Sequence, residues 1–284
     1  MRRMGAGSLH VLRAPGQGSE AGPRVPAGQA RSQAVLVGCR APRSDSARPG
    51  GISLPGEGHR KVWGRLHFGQ GLRVSRKRVL RLMRENQLLS PYRGRQGEPR
   101  AHNGTIITEA PNLMWGTDGT KVFTLDDGWV WVFAAVEHWN AECVGWHVSK
   151  HGDRYAALEP ISQGLTSLYG SVAAEVARGL LLRMDHGSQY LSDHFVNQVR
   201  FWGIKPCFAF VEQPQTNGVV ERFNRTLKEQ AIYGKVLRNI EEVRRAVGKF
   251  VEDYNAEWRV EKNGFVSPRQ ARQAWFAALS QQAA

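Results

Sequence analysis

Three acidic residues occupy positions in the sequence where solvation alone does not account for them. Asp118 interrupts an otherwise apolar strand pattern, and Asp185 comes directly after a second apolar strand pattern. Glu221 lies one turn inside a predicted helix, with 35 residues between it and Asp185. That interval is long enough for a helix, a strand and a loop, so the chain can return Glu221 to the strand ends beside the two aspartates.

Carboxylates that converge without Lys or Arg partners repel one another, and hard divalent cations relieve that repulsion. Asp118, Asp185 and Glu221 therefore predict a site for two Mg²⁺ ions, with Mn²⁺ as a substitute. Two ions about 3.5 to 4 Å apart activate an attacking oxygen and stabilise a leaving one in phosphoryl displacement. A single acid is more often structural, as Asp126 and Asp127 illustrate, because their turn favours aspartate for local hydrogen bonding.

The formal net charge of +14 is concentrated at the N-terminal end of the chain. Residues 1–55 carry +6, residues 56–100 carry +9, and the remaining residues together carry −1. A basic segment attached to a nearly neutral body is typical of a protein in which one part binds a polyanion. A solubilising tail is the alternative interpretation, and it suits residues 1–55 better than residues 56–100.

Residues 1–55 contain no Phe, Trp, Tyr or Lys and are rich in Gly, Pro, Ala, Ser and Arg. This composition predicts disorder, because little apolar surface is available to offset the entropy lost on ordering. It also resembles GC-rich DNA translated in an unintended reading frame. The segment is therefore either a disordered extension or not part of the evolved protein.

The next segment, residues 56–90, is predicted to be a small basic helical module that binds DNA. Helices are expected over His59–Leu66 and Ser75–Asn86, with Ser75 as an N-cap. An apolar stripe at helical spacing predicts the module's core, which consists of Val79, Leu82 and Met83. The predicted DNA phosphate contacts are Arg76, Lys77, Arg81 and Arg84. A merely solvated basic face is the alternative.

Residues 91–112 are predicted to be a linker, because they include Pro91, Gly94, Gly97, Pro99 and Pro111. From residue 113 to 275 the patterns predict elements in the order β-β-β-α-β-α-β-α-α, and residues 276–284 are expected to form a tail. The first three strands are most simply antiparallel, so an α/β fold with a mixed sheet flanked by helices is expected.

Composition excludes several other classes of protein. The three cysteines, Cys39, Cys143 and Cys207, are far apart and form no C-x-x-C pair, so neither a disulfide framework nor a thiolate zinc site is indicated. No apolar stretch reaches the length of a membrane span, and the Met1 end lacks an apolar signal core. We expect a cytoplasmic protein without a membrane partner.

Several motifs together resemble the second-frame transposases of the IS-three type, within the retroviral integrase superfamily. They are the strand around Asp118, the segment Asp185-His-Gly-Ser-Gln-Tyr, and Gln213-Pro-Gln-Thr-Asn-Gly-Val-Val-Glu221-Arg-Phe-Asn-Arg-Thr-Leu-Lys228. The 35-residue spacing matches the family's D,D-35-E signature. The basic helices resemble the family's small module ahead of the core, and Tyr254-Asn255 with Ser267-Pro268 resembles its closing motif. The resemblance covers about residues 57–272.

This resemblance implies a ribonuclease-H-like core that cleaves and joins DNA at the terminal inverted repeats of an insertion element. It implies that Asp118, Asp185 and Glu221 are the catalytic metal ligands. Asn224 and Lys228 fall on the helical face of Glu221, so they are expected to contact DNA phosphates. The implied partners are double-stranded DNA of the element ends and the target, further copies of the chain, and the first-frame product. A bacterial, nucleoid-associated location follows from these partners.

The front end departs from the family, since no helix-turn-helix with a heptad repeat appears before residue 56. Independent transposition is therefore in question, whereas the metal-dependent chemistry is not. Two alternatives remain at this point: a catalytically inactive DNA-binding remnant or regulator of the same fold, and a nuclease that only hydrolyses DNA.

Overall fold

The computed structural model of the chain describes residues 57–90, 107–208 and 217–282. The segment predicted to be disordered, 1–55, and most of the predicted linker lie outside the described residues. Within the three described ranges, no helix has the length and apolar character needed to cross a membrane.

Two helices joined by a turn form the helical module. Helix α1 spans His59–Gly64 and continues into a π-helical turn, Arg65–Gly69, and α2 spans Arg76–Glu85. Ser75 caps α2, because its side chain accepts a hydrogen bond from the Arg78 backbone N–H at 3.2 Å. The two predicted helices and the predicted cap are confirmed. The buried residues of this unit are Val62, Leu66, Val79, Leu82 and Met83.

A five-stranded mixed sheet forms the centre of the core, in the order β3-β2-β1-β4-β5. The first three strands are antiparallel neighbours, whereas β4 and β5 run parallel to β1. The strands are Met114–Thr124 (β1), Gly128–Glu137 (β2), Cys143–Ser149 (β3), Leu181–Met184 (β4) and Lys205–Phe208 (β5). The five predicted strands and the antiparallel pairing of the first three are confirmed.

In the described part of the core, six helices accompany the sheet. They are Arg154–Tyr169 (α3), Ser188–Leu191 (α4), Asp193–Phe201 (α5), Gly218–Leu227 (α6), Ile240–Glu257 (α7) and Pro268–Gln282 (α8). A π-helical turn, Lys228–Ile232, continues α6, and a 3-10 turn, Glu261–Asn263, precedes α8. Three of these elements, α4, the 3-10 turn and α8, were not predicted. Helix α8 continues past residue 275, where the sequence patterns placed the end of the core.

Strand alternation divides the core into two apolar layers. Trp115 and Phe133 point to one face of the sheet, where α3 and α5 cover them. Val122 and Val132 point to the opposite face, against α6 and α7. The predicted ribonuclease-H-like arrangement of a mixed sheet flanked by helices is thereby confirmed. Asp118 belongs to the second face, because it is four residues from Val122 on the same strand.

The helical module packs on the end of α7 and the segment that follows it. The guanidinium of Arg65 donates to both carboxylate oxygens of Glu57, at 2.7 and 2.9 Å, and to the backbone carbonyl of Glu257 at 2.9 Å. The rings of Trp63 and Phe265 meet edge to face at 5.5 Å. The buried ion pair and the aromatic contact fix one wall of a cleft between module and core.

Candidate active site

The parallel pairing of β1 with β4 places the two aspartates side by side. In this register Gly116 lies opposite Arg183. Asp118, in the middle of β1, and Asp185, directly after the end of β4, each follow two residues later, so both side chains emerge on the same face of the sheet. The predicted approach of the two acids is therefore a consequence of strand register, although only Asp185 lies at a strand end.

Helix α6 brings Glu221 to this face of the sheet through two asparagines that bind β1. The side-chain amide of Asn217 donates to the Thr117 carbonyl at 3.2 Å, and that of Asn224 donates to Asp118 Oδ2 at 2.9 Å. Asn217, Glu221 and Asn224 are spaced i, i+4 and i+7, so they share one face of the helix. The two hydrogen bonds hold the turn that carries Glu221 against the strand that carries Asp118.

Close contact between α6 and β1 depends on a glycine beneath the helix. A Cβ atom at Gly116 would lie 2.9 Å from Asn217 Oδ1, so a larger residue would force the Asn217 side chain to shift. Arg183, opposite Gly116, is buried, and its Nε has no hydrogen-bond partner. Within the described residues Arg183 forms no ion pair with Asp118 or Asp185, so this nearby cation does not neutralise the acids.

The three acids are close enough that neighbouring carboxylate charges help to raise the pKa values of Asp118 and Glu221. The pKa of Asp118 is raised to about 6, mainly by burial and also by the charges of Asp185 and Glu221, although the hydrogen bonds from Asn224 and Gly119 oppose the increase. Burial, followed by the Asp185 charge, also raises the pKa of Glu221. In the described part of the chain none of the three acids has an ion-pair partner, so their mutual repulsion is uncompensated.

The donor atoms suit a hard divalent cation. Asp118 accepts from the Gly119 N–H at 2.8 Å, and Asp185 accepts from the Gly187 N–H at 2.9 Å, which orients both carboxylates and leaves further lone pairs. Among the residues that the structure describes, no three His, Cys, Asp or Glu side chains are close enough together to form a complete metal site. The three acids thus lie in the same part of the core, but their side chains are not close enough together to surround one metal ion.

The predicted DNA contacts on α2 divide into two groups. Lys77, Arg81 and Arg84 are exposed on one face of the helix, which we call the basic face. Arg76 instead turns toward the core, where its Nη1 lies 3.7 Å from Glu261 Oε1 and its guanidinium lies 4.3 Å from the Trp63 ring centroid. Arg76 therefore contributes to the packing of the module on the core.

The two residues of α6 that were predicted to contact DNA lie in different environments. Asn224 is only 6% exposed and its amide donates to Asp118, so in this structure it positions that carboxylate. Lys228 is half-buried at the start of the π-helical turn that continues α6, and its phosphate contact stays a prediction. Sequence reasoning overlooked Asn217 as a site residue, although its helical spacing from Glu221 was available as a signal.

Comparison with family models gives three matches. Two models described as integrase core domain match residues 108–214 and 202–259, and together they span more than half of the chain. A model described as HTH-like domain matches residues 57–96, which include the helical module.

Similar curated proteins are insertion-element transposases. The transposase for IS629 of Shigella sonnei is 28% identical over 232 residues, which cover 78% of this chain and 75% of that protein. A putative transposase for IS986/IS6110 of Mycobacterium tuberculosis is 27% identical and covers 80% of this chain and 85% of its own length. The InsD transposase of IS2 from Escherichia coli is 28% identical over 225 residues, or 76% of this chain and 73% of that protein.

Similar solved structures are retroviral integrase cores. The catalytic core domain of HTLV-2 integrase, solved in complex with magnesium, is 18% identical with a TM-score of 0.44, and covers 58% of this chain and 98% of that one. The BIV integrase core domain is 20% identical with a TM-score of 0.43, and covers 60% of this chain and 99% of that one.

Proposed function

Because the chain belongs to the DDE transposases of the retroviral integrase superfamily, we propose that Asp118, Asp185 and Glu221 are the metal ligands with which it cleaves and joins DNA. The observation that supports this assignment is the register of β1 and β4, which aligns the two aspartates beneath the helix that carries Glu221. Members of this family are polynucleotidyl transferases, so the chemistry is phosphoryl transfer between DNA strands.

Each part of the proposed site has a separate task. Mg²⁺, when bound, would supply the Lewis acidity that phosphoryl transfer requires. The Gly119 and Gly187 amides orient the two aspartates, and the Asn224 amide favours the charged form of the Asp118 carboxylate. Glu221, exposed on α6, adds the third carboxylate from the side on which DNA can approach. The apolar layer of α6 and α7 keeps water away from the base of the site.

The proposed substrates are the terminal inverted repeats of an insertion element and a target duplex. The HTH-like match over residues 57–96 supports assigning the helical module, 56–90, to DNA binding. We assign the residues from 113 to the end of α8 to the catalytic core, with 91–112 as the linker; the core boundary predicted at residue 275 falls inside α8. Further partners are additional copies of the chain assembled on DNA and the first-frame product, which would supply end recognition.

Metal removal provides the direct test of this function. With duplex DNA carrying the element ends, joining of a 3′ end to target DNA should require Mg²⁺, continue with Mn²⁺ and stop in EDTA. The first-frame product is added if the chain alone is inactive. Cutting without joining would favour a nuclease, and DNA binding without either reaction in any metal would favour the inactive remnant.

Removal of the basic face should weaken DNA binding irrespective of sequence. The change is Lys77→Ala with Arg81→Ala and Arg84→Ala, and Arg76 is retained because it contacts Glu261. Each lost phosphate contact lowers the slope of log K against log salt by about 0.9, so the slope should fall by about 2.7. Fluorescence anisotropy with two unrelated duplexes, at several salt concentrations, measures both quantities.

A charge-matched control separates a local effect from loss of net charge. Arg178, Arg200 and Lys205 are exposed near the start of β5, at the opposite edge of the sheet from the acids. Their triple alanine variant should bind DNA nearly as the parent does. Equal losses in the two triple variants would show that net charge, and not the basic face, determines affinity.

A further inference from the structure

A cleft of about 570 Å³ lies between the helical module and the core. Its walls come from α1 and α2 on one side, and from α6, the end of α7 and the 3-10 turn on the other. Among the residues that line the cleft, Glu261 has the single carboxylate, and four are Arg or Lys: Arg60, Lys61, Arg222 and Lys262. Sequence reasoning did not identify this cleft, because its residues come from segments far apart in the chain.

The one carboxylate in the cleft is already used. Glu261 Oε2 lies 3.4 Å from Arg60 Nη1, and Glu261 Oε1 lies 3.7 Å from Arg76 Nη1. Arg222 and Lys262 form no ion pair with any acid in the described part of the chain, and Lys262 donates only to the backbone carbonyl of His138. Arg222 and Lys262 therefore bring positive charge into the cleft without an ion-pair partner among the described residues.

Two groups that line the cleft have lowered pKa values. Burial lowers the pKa of Lys262 to about 8, and the Glu137 charge opposes this change more strongly than the Arg222 charge adds to it. Burial, Arg60 and Arg76 lower the pKa of His59, against the opposing effect of Glu261. The His59 shift indicates a positive potential beside Arg60 and Arg76 that an anion would relieve, whereas the Lys262 shift reflects its burial.

The aromatic lining favours phosphate over a nucleobase as the ligand. Phe223, Tyr254, Trp258 and Phe265 are all buried in the wall. The Lys61 ammonium lies 3.3 Å from the Trp258 ring centroid, so this ring face is covered by a cation. Base stacking needs an open aromatic face, whereas phosphate needs exposed cationic groups.

Helix α6 connects the cleft with the acidic triad. Val219, Arg222 and Phe223 line the cleft, at spacings i, i+3 and i+4 on one face of α6. Glu221 precedes Arg222 by one residue, so the two side chains point about 100° apart around the same helix. A DNA strand that reaches the triad can therefore continue over α6 into the cleft.

We propose that this cleft is a second DNA-binding site, in which Arg222 and Lys262 bind backbone phosphates of the strand that passes the acidic triad. The proposal rests on the proposed function, since it assumes that DNA reaches the triad. It adds a contact surface separate from the basic face of α2. It also accounts for the packing of the helical module on the core, because that module forms one wall of the phosphate site.

The first experiment measures binding of a 30-base-pair duplex of arbitrary sequence. Arg222→Ala with Lys262→Ala should lower affinity on the order of tenfold and reduce the salt slope by about 1.8, for two lost phosphate contacts. Arg200→Ala with Lys205→Ala is the control of equal charge and should change little. Arg222→Gln with Lys262→Gln preserves much of the side-chain volume and should behave as the alanine pair does.

A second measurement uses the unaltered chain and does not depend on the folding of variants. An amine-acylating reagent at pH 8 should modify Lys262, and the duplex should protect it, whereas exposed Lys205 should stay reactive; peptide mass spectrometry quantifies both. Protection by inorganic phosphate but not by DNA would overturn the proposal in favour of a small-anion site.

The outcomes separate this inference from the proposed function. If DNA does not protect Lys262 and both double variants bind DNA as the parent does, the cleft is not a DNA-binding site. Metal-dependent joining in the same protein would leave the catalytic proposal intact. A chain that neither binds nor joins DNA, with the first-frame product present, would refute both.

Discussion

Glu221→Gln should reduce DNA cleavage and strand joining about a thousandfold while DNA binding survives. Glutamine nearly preserves the volume and helix propensity of glutamate, so α6 should remain folded. The change removes one of three carboxylates that we propose as metal ligands. A loss of about 4 kcal/mol in transition-state stabilisation corresponds to that factor, at 1.36 kcal/mol per tenfold. Single-turnover joining in Mg²⁺, with intact and pre-cut ends, measures the loss.

The matched control is Glu159→Gln. Glu159 is also exposed within a helix, α3, which covers the opposite face of the sheet from α6. Its substitution should leave joining unchanged. Near-normal joining by Glu221→Gln would show that the third ligand is misassigned, and retained DNA binding by that variant excludes a folding defect as the cause of lost activity.

Asp118→Asn should abolish activity and at the same time stabilise the metal-free protein. Burial holds the pKa of Asp118 at about 6, above its ordinary value of 3.8, so the charged carboxylate destabilises the folded state near neutral pH. That difference already includes the opposing hydrogen bonds from Asn224 and Gly119, and it corresponds to about 3 kcal/mol at 1.36 kcal/mol per pH unit. A gain of about 3 kcal/mol should raise the Tm by roughly 6 to 12 °C.

The direction of the pH dependence follows from the raised pKa. The gain in unfolding free energy of Asp118→Asn over the parent should be full above pH 6 and decrease as the pH falls toward 3.8. It should disappear below that value, where Asp118 is protonated in both the folded and the unfolded parent. Thermal melts in EDTA from pH 4 to 8 measure it. Mg²⁺ should raise the Tm of the parent and not of the variant.

Asp127→Asn is a control for which the opposite change in stability is expected. A hydrogen bond from Lys150 and another from the Ile240 N–H lower the pKa of Asp127. Loss of its charge should therefore destabilise the protein above the ordinary aspartate pKa, and this effect should vanish in acid. A lower Tm for Asp118→Asn at pH 8 would contradict the interpretation that the triad is electrostatically strained.

The sequence by itself determined the fold class and most of the elements. Period-two alternation around Trp115, Phe133 and Val132 specified strands with two apolar faces, because side chains alternate along a strand. Ser75 before an apolar stripe specified a capped helix, since local hydrogen bonding and helical spacing are both readable in the chain. The short helix α4 and the terminal α8 were missed, because brief or mostly exposed helices leave a weak apolar pattern.

The tertiary structure decided which side chains meet. Spacing nominated Asp118, Asp185 and Glu221, but only the β1–β4 register and the two asparagines of α6 place them on one face of the sheet. Asn224 was predicted to face DNA, yet packing of α6 on β1 buries it against Asp118. The cleft containing Arg222 and Lys262 depends on contacts between residues almost 200 positions apart, such as Arg65 with Glu257. Such contacts depend on packing between separate elements, and local sequence patterns do not record them.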